Sequence, residues 1–345
     1  MIFRSSGDAG DCVHSLAVIR ALGGKHKYCL VNRSWTKPMI ITAPFLQPLI
    51  ESQPYISSCE VSEEEPEVDF SLFRHGRNYR FHSAEYSLAE AHARYYKFIK
   101  GERPDIKWNE PWLENIKPDK RSKGRVVIAR SERYNNSAFQ WRKIVEHYGD
   151  LLLFIGTEKE RNKFCQFYGN IEYAPTKDLL EAAELIAGSA LFIGNQSSPY
   201  NVAEGLRVPR ILEACDYVVD VITFLDPKAQ YCGNGKCTLP AIGLKPAIDI
   251  EPPPYDPTQI NLFEVPPSGW RFPSPEYPSE RRFDLKGSTS SDIIVRVMNA
   301  YGIDKEDSKK RVCQHLIDIN TNFYVINQNQ VPDYHLKQAI ANAPK

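Results

Sequence analysis

The sequence predicts an α/β protein of two Rossmann-like halves facing across a cleft, followed by a proline-rich arm and C-terminal helices. Three observations carry this. Short apolar runs such as "RVVIAR", "DLLLFIG" and "ALFIG" alternate with helix-length amphipathic stretches, the pattern of a parallel sheet covered on both faces. The rhythm occurs twice, over residues 1–115 and 125–250, with the hydrophilic "NIKPDKRSKG" supplying a linker at 116–124. Two of the strands end in loops dense in small polar residues, "SSGDAGDCVH" and "FIGNQSSPYN", each opening a helix. Ligands bind at such strand ends in open α/β sheets.

The elements follow in order. "MIFRS" reads as a strand, "CVHSLAVIRAL" as a helix, "KYCLVN" as a strand and "PFLQPLIES" as a helix. "SCEVS" and "VDFSLF" read as strands, and "AEYSLAEAHARYYKFIKG" as a helix closed by Gly101. In the first helix Cys12, Leu16, Ile19 and Leu22 share one face. After the linker come strand "RVVIAR", helix "AFQWRKIVEHY", strand "DLLLFIG", helix "EKERNKFCQFY", strand "IEYA" and helix "TKDLLEAAELIAG". Strand "ALFIG", helix "PYNVAEGL" and strand "PRILEA" complete the second half. From about residue 222 the character changes. "IDIEPPPYDPTQINLFEVPPSGWRFPSPEYP" is too proline-rich for a helix or central strand. Helices return at "SDIIVRVMNAYG" and "KEDSKKRVCQHLIDI", in a tail spanning 251–345 that is long enough to pack back on the cleft.

Composition narrows the function classes. The chain has 345 residues, 42% apolar and 25% charged, with 43 basic and 43 acidic side chains. Zero net charge disfavours a whole-chain electrostatic grip on nucleic acid or an anionic membrane. No apolar run reaches the length of a membrane span, and "MIFRSSGDAG" lacks the apolar core of a secretory signal. The eight cysteines, at 12, 29, 59, 165, 215, 232, 237 and 313, sit mostly in apolar contexts, so a cytoplasmic protein with reduced thiols is expected. Cys232 and Cys237 flank "GNGK". A zinc ribbon needs a second such pair, so two free thiols and no metal are expected there. His75, His82 and His92 do not have metal-ligand spacing on one helix.

The candidate site residues lie at the strand ends. In the first loop Gly7 and Gly10 permit tight turns and close ligand approach. Asp11 falls at or just before the helix start, where it reads either as an N-cap or as a carboxylate general base at a domain mouth. In the second loop Ser197 and Ser198 sit at the helix start and Pro199 suits its first turn, whose N–H groups point at an anion. Arg130, Ser131 and Arg133 follow the first strand of the second half, with arginines able to clamp a diphosphate. Thr157 follows the next strand. Glu204, on the helix after the second loop, and Glu213, at the end of the following strand, are carboxylates for ribose or sugar hydroxyls, or else structural charges.

Two of these loops resemble one family. "SSGDAGDCVHSLAVIRAL" is similar to the N-terminal signature of the heptosyltransferase-like glycosyltransferases (family 9), Gly-Asp-x-x-His-[Ser/Thr]-Leu-Pro, matched at Gly10, Asp11, His14, Ser15 and Leu16, with Ala17 replacing the Pro. "FIGNQSSPYNVAEGLRVP" resembles the second signature, Gly-Asn-Asp-Ser-Gly-Pro-x-His-Leu-Ala, at Gly194, Asn195, Ser197, Pro199 and Ala203. Gln196 replaces Asp, Ser198 replaces Gly, and Asn201 replaces His. The likeness covers roughly residues 1–25 and 125–215. It implies a GT-B fold and inverting, metal-independent transfer of a sugar from a nucleotide-diphosphate sugar, with no further cofactor. It also implies that Asp11 is the base, that Gly10 and His14 lie on the acceptor side, and that the loop with Gln196, Ser197, Ser198 and Asn201 holds the donor with the polar strand end at Arg130. Ser131, Arg133 and Thr157 are expected there from their places at strand ends, the two arginines otherwise being solvated surface charges. The expected partners are that donor and an acceptor glycan or small molecule. The alternatives are a hydroxylated base in DNA as acceptor, and a nucleotide-sugar-binding protein that has lost catalysis, to which the changes at 196 and 201 give weight.

Overall fold

The computed structural model describes residues 1–6, 9–31, 39–74, 87–136, 139–214, 221, 223, 226, 228–232 and 237–250. The proline-rich arm and C-terminal helices expected from 251 onward lie outside these residues, as do Gly7, His75 and His82.

Two parallel sheets form the frame. The first contains β1 (Ile2–Ser5), β2 (His26–Leu30), β3 (Ile56–Val61) and β4 (Val68–Asp69) in the order β3-β2-β1-β4. Its helices are α1 (Ala9–Leu22), α2 (Met39–Glu51) and α3 (Leu88–Lys100). The second contains β5 (Val126–Ala129), β6 (Leu152–Phe154), β7 (Glu172–Tyr173), β8 (Leu191–Asn195), β9 (Arg210–Glu213) and β10 (Ala229–Cys232), ordered β10-β9-β8-β5-β6-β7. All its pairings are parallel, which requires crossovers. These include α4 (Trp141–Tyr148), α5 (Glu158–Tyr168), α6 (Leu179–Gly188) and α7 (Ser198–Leu206). An antiparallel pair, β11 (Cys237–Leu239) and β12 (Ile248–Ile250), follows.

The strand order locates the ligand crevice. In the second sheet the chain runs outward from β5 through β6 to β7, then returns to β8 on β5's other side. The switch point therefore lies between β5 and β8, and a crevice opens there at their carboxyl ends. In the first sheet the switch lies between β1 and β4.

Several elements differ from the sequence reading. "VDFSLF" keeps only Val68–Asp69 as strand and then turns into a 3-10 helix, Phe70–Arg74. The turn is fixed by Asp69, whose Oδ1 accepts from the Ser71 N–H at 2.9 Å while Oδ2 holds the Arg4 Nε at 2.9 Å. The segment 116–124 is docked: Lys120–Ser122 form a 3-10 helix, Asp119 N–H donates to Glu184 O, and a Cβ on Gly188 would lie 2.4 Å from Asp119 O. The region after 222 adds a sixth strand, β10, to the second sheet. Helix α1 begins at Ala9, so Asp11 is the third residue of its first turn and not the residue before it.

The two sheets share one core. It runs from Phe3, Leu16 and Tyr28 through Trp112 and Leu113 to Val127, Tyr200 and Tyr231. Each such side chain stabilises the fold by about 1.5–3 kcal/mol relative to exposure. A second cluster, including Ile128, Trp141, Phe154, Ile193, Cys232 and Cys237, covers the opposite face of the second sheet. Across the halves α1 packs on α7 and α2 on α6. At this junction a Cβ on Gly10 would lie 2.5 Å from Asn201 Nδ2, and one on Gly205 would lie 2.8 Å from Leu113 Cγ. Trp112 rivets the halves, donating its Nε1–H to Val13 O in α1 at 2.9 Å and its backbone N–H to Gly205 O in α7 at 2.9 Å.

Candidate active site

The crevice at β5 and β8 is organised by Asn195, the last residue of β8. Its Oδ1 accepts from Ser131 N–H at 3.1 Å. Its Nδ2 faces Ser131 O and Oγ, both at 3.1 Å, Asn135 Oδ1 at 3.0 Å and Arg133 O at 2.5 Å. One buried amide thus ties the loop after β5 to the end of β8. The loop it shapes contains Tyr134 in the left-handed region, at φ 58, an uncommon conformation for a side-chain-bearing residue that the surrounding bonds must hold.

Glu213 at the end of β9 completes this side. It is fully buried and receives four donors: Arg130 Nε (2.9 Å), Arg130 Nη2 (2.8 Å), Asn136 N–H (2.8 Å) and Trp141 Nε1–H (2.8 Å). Burial pulls the Arg130 guanidinium down, but the hydrogen bonds and charge of Glu213 outweigh it and hold its pKa above the usual value. The side chain of Arg130 is 17% exposed. One charged group at the strand end is therefore locked in place while part of it still meets solvent.

The loop after β8 continues the site. Ser197 is the N-cap of α7 by backbone geometry, yet its hydroxyl makes no capping bond and turns back to Asn195 O at 3.3 Å. The first turn of α7 directly follows the carboxyl end of β8, at the switch point, and the free N–H groups of such a turn favour an anion. Pro199 in that turn has no N–H to offer. Ser197 and Ser198 are half-buried, and Gln196 and Asn201 are buried.

From the other half, α1 meets this helix end on. His14 Nε2 lies 3.2 Å from Asn201 Oδ1, and Gly10 faces the same amide. Asp11, one residue after Gly10, is 2% exposed. Helices α1 and α7, through residues 187 positions apart in sequence, are thereby in hydrogen-bond contact.

The structure groups Arg130, Ser131 and Glu213 around Asn195, and Gly10 and His14 around Asn201. Other expected site residues stand apart. Thr157 is exposed and forms a capping box with Glu160 at the start of α5. Arg133 is exposed, its guanidinium 5.3 Å from the Tyr134 ring centroid. Glu204 is sealed in an ion cluster, with Oε1 accepting from Arg207 Nη1 (2.6 Å) and Thr223 Oγ1 (2.5 Å) and Oε2 from Arg210 Nε (2.6 Å). Arg210 Nη1 also pairs with Asp226 at 2.8 Å, and Arg207 lies 4.7 Å from the Trp112 ring centroid. Burial would raise the Glu204 carboxyl, but Arg210, Arg207 and the Thr223 hydroxyl hold it at about 2. In this arrangement the oxygens of Glu204 and Glu213 are taken by protein donors.

Sequence reasoning missed Asn136 and Trp141, which reach the site only through folding, and left Asn195 without a role although it stands in the quoted loop. Among the described residues no group of three or more His, Cys, Asp or Glu side chains is placed to hold a metal. No helix among them is long and apolar enough to cross a membrane.

No family model matches the chain, and no curated protein matches it. Among solved structures it is similar to the E. coli heptosyltransferase WaaC with ADP, at TM-score 0.47 and 12% identity over 67% of this chain and 92% of that one. It is similar to a family 9 glycosyl transferase from Veillonella parvula, at TM-score 0.46 and 11% identity over 68% and 86%. It is also similar to the E. coli ADP-heptose lps heptosyltransferase II, at TM-score 0.44 and 12% identity over 69% and 90%. At these values the functional reading rests on the residues themselves.

Proposed function

We propose that this chain is a glycosyltransferase of the family 9 type, moving a sugar from a nucleotide-diphosphate sugar to an acceptor hydroxyl by an inverting, metal-independent reaction. The observation that carries this reading is the contact of His14 with Asn201. It joins α1 and α7, the helices that carry much of the two stretches resembling the family's signatures, near a strand end that holds a fixed, partly exposed arginine.

In this reading the donor diphosphate lies against the first turn of α7, with Arg130, Ser131, Gln196, Ser197, Ser198 and Asn201 around it. Thr157 and Arg133, both exposed, stand outside this set. Asp11 takes the acceptor proton as the acceptor oxygen attacks the anomeric carbon from the face opposite the leaving group. The bond to the nucleotide diphosphate breaks and its oxygen gains negative charge, which helix N–H groups and Arg130 stabilise. At 2% exposure Asp11 meets an acceptor only after neighbouring segments part, so turnover includes an opening and reclosing step. Glu213 serves by fixing Arg130.

Asp11→Asn tests the base. It removes transfer, and slow donor hydrolysis with it, while the thermal shift produced by the bound nucleotide stays within twofold of the wild-type affinity. Equal loss of binding and turnover would make Asp11 a structural residue. The burial of Asp11 favours a second reading, donor binding without turnover. Nucleotide binding with no transfer or hydrolysis in the wild type selects it.

A further inference from the structure

The pair Cys232 and Cys237 is not used by the reaction above. Cys232 ends β10 and Cys237 begins β11, with four residues between them in sequence. Both side chains are buried in the cluster on the outer face of the second sheet, with Ile211, Ile193 and Leu239. Their thiols are in hydrogen-bonding contact, and neither is engaged in a disulfide. The two strands are held in this register by the Gln230 amide, which donates to Thr238 O at 2.7 Å and accepts from Thr238 N–H at 3.1 Å. Cys232 is also the sheet partner of Glu213, the residue that fixes Arg130.

We propose that Cys232 and Cys237 are an intramolecular dithiol that closes to a disulfide within the folded chain, stapling β10 to β11 beside the Arg130–Glu213 cluster. The inference rests on two thiols buried in one cluster on strands tied by Gln230 and Thr238, and holds whether or not the chain transfers sugars. The oxidant is a low-molecular-weight disulfide such as oxidised glutathione. The Cys237 thiolate, from the more exposed of the two residues (5% against 1%), attacks one glutathione sulfur and releases the other as thiolate. The Cys232 thiolate then attacks Cys237 Sγ in the mixed disulfide, forming the Sγ–Sγ bond and releasing the second glutathione. Two thiol protons pass to the two released thiolates, so one disulfide is reduced as one is made. Burial pushes the Cys232 thiol well up, so closure accelerates as pH rises.

The test is peptide mapping of the full-length folded protein after incubation with oxidised glutathione at pH 8.5. The expected result is a single internal cross-link between residues 232 and 237 and the loss of two hydrogens. The half-buried Cys165 carries glutathione as a mixed disulfide instead. Cys232→Ala and Cys237→Ala each abolish that cross-link, and the unfolding midpoint of the oxidised wild type exceeds that of the reduced form. Either of two results overturns the proposal: glutathione on Cys165 with residues 232 and 237 still reduced, or either thiol linked to another cysteine of the chain. Mapping the wild type decides the matter even where a single variant fails to fold.

Discussion

Glu204 and Glu213 stand nine positions apart in the sequence, both are fully buried, and both are held by arginine. Their surroundings differ. Glu204 is on α7 and packs with Arg207, Arg210, Thr223 and Asp226, and Arg210 is as buried as the glutamate. Glu213 lies at a strand end, and its arginine is partly exposed beside the crevice at the topological switch point. A sealed cluster pairs its charges with one another away from solvent, out of a ligand's reach. A cluster with one open side holds a charge in fixed orientation at the surface, which is what anion recognition requires.

The largest effect that separates the two is on stability. Arg210→Met leaves Glu204 and Asp226 short of a buried partner, and is expected to cost about 3–5 kcal/mol in a denaturant titration. Nucleotide affinity, measured where the variant remains folded, stays within twofold. A variant that unfolds at the wild-type midpoint would show that the cluster does not hold α7 against β9.

Acid resolves the same cluster without mutation. The Glu204 pKa lies at about 2 in the fold, below its ordinary 4.5. Its contribution is therefore fully present above pH 4.5 and is lost as pH falls towards 2, amounting to about 3 kcal/mol. Unfolding free energy measured down that window is expected to fall more steeply in the wild type than in Glu204→Gln.

The junction of the halves offers a smaller perturbation. In Gly10→Ala the new Cβ meets the Asn201 amide at 2.5 Å, so that amide must leave its contact with His14 or the helices must part, at about 1–3 kcal/mol. Asn201→Ala removes the obstructing amide, and the double variant is expected to recover part of the loss. Additive losses in the double variant would contradict the contact as the cause.

Much of this was legible in the sequence, and the reason lies in local signals. Helix α5 spans Glu158–Tyr168, the stretch read as "EKERNKFCQFY", because Thr157 and Gly169 bracket it with start and stop chemistry. The ends of β5 and β8 were legible because small polar residues follow apolar runs. The sealed cluster was not. Glu204, Arg207 and Arg210 look like surface charges until Thr223 and Asp226 are folded against them. Strand β10 was missed because "AQYC" is too short to carry a period, and its place is set by pairing with β9. Asp11 was expected at or before the helix start. The helix begins earlier, at Ala9, a boundary that small residues alone do not fix.

The central claim is that the open cluster, and not the sealed one, meets the phosphates of a nucleotide. It is tested most directly by titrating ADP, UDP, GDP and dTDP into the wild type, Arg130→Gln and Arg207→Gln by calorimetry. Saturable binding of at least one nucleotide is expected, weakened about tenfold, or about 1.4 kcal/mol, in Arg130→Gln and unchanged in folded Arg207→Gln. Wild-type protein that binds none of the four, or binding weakened equally by both substitutions, would contradict it.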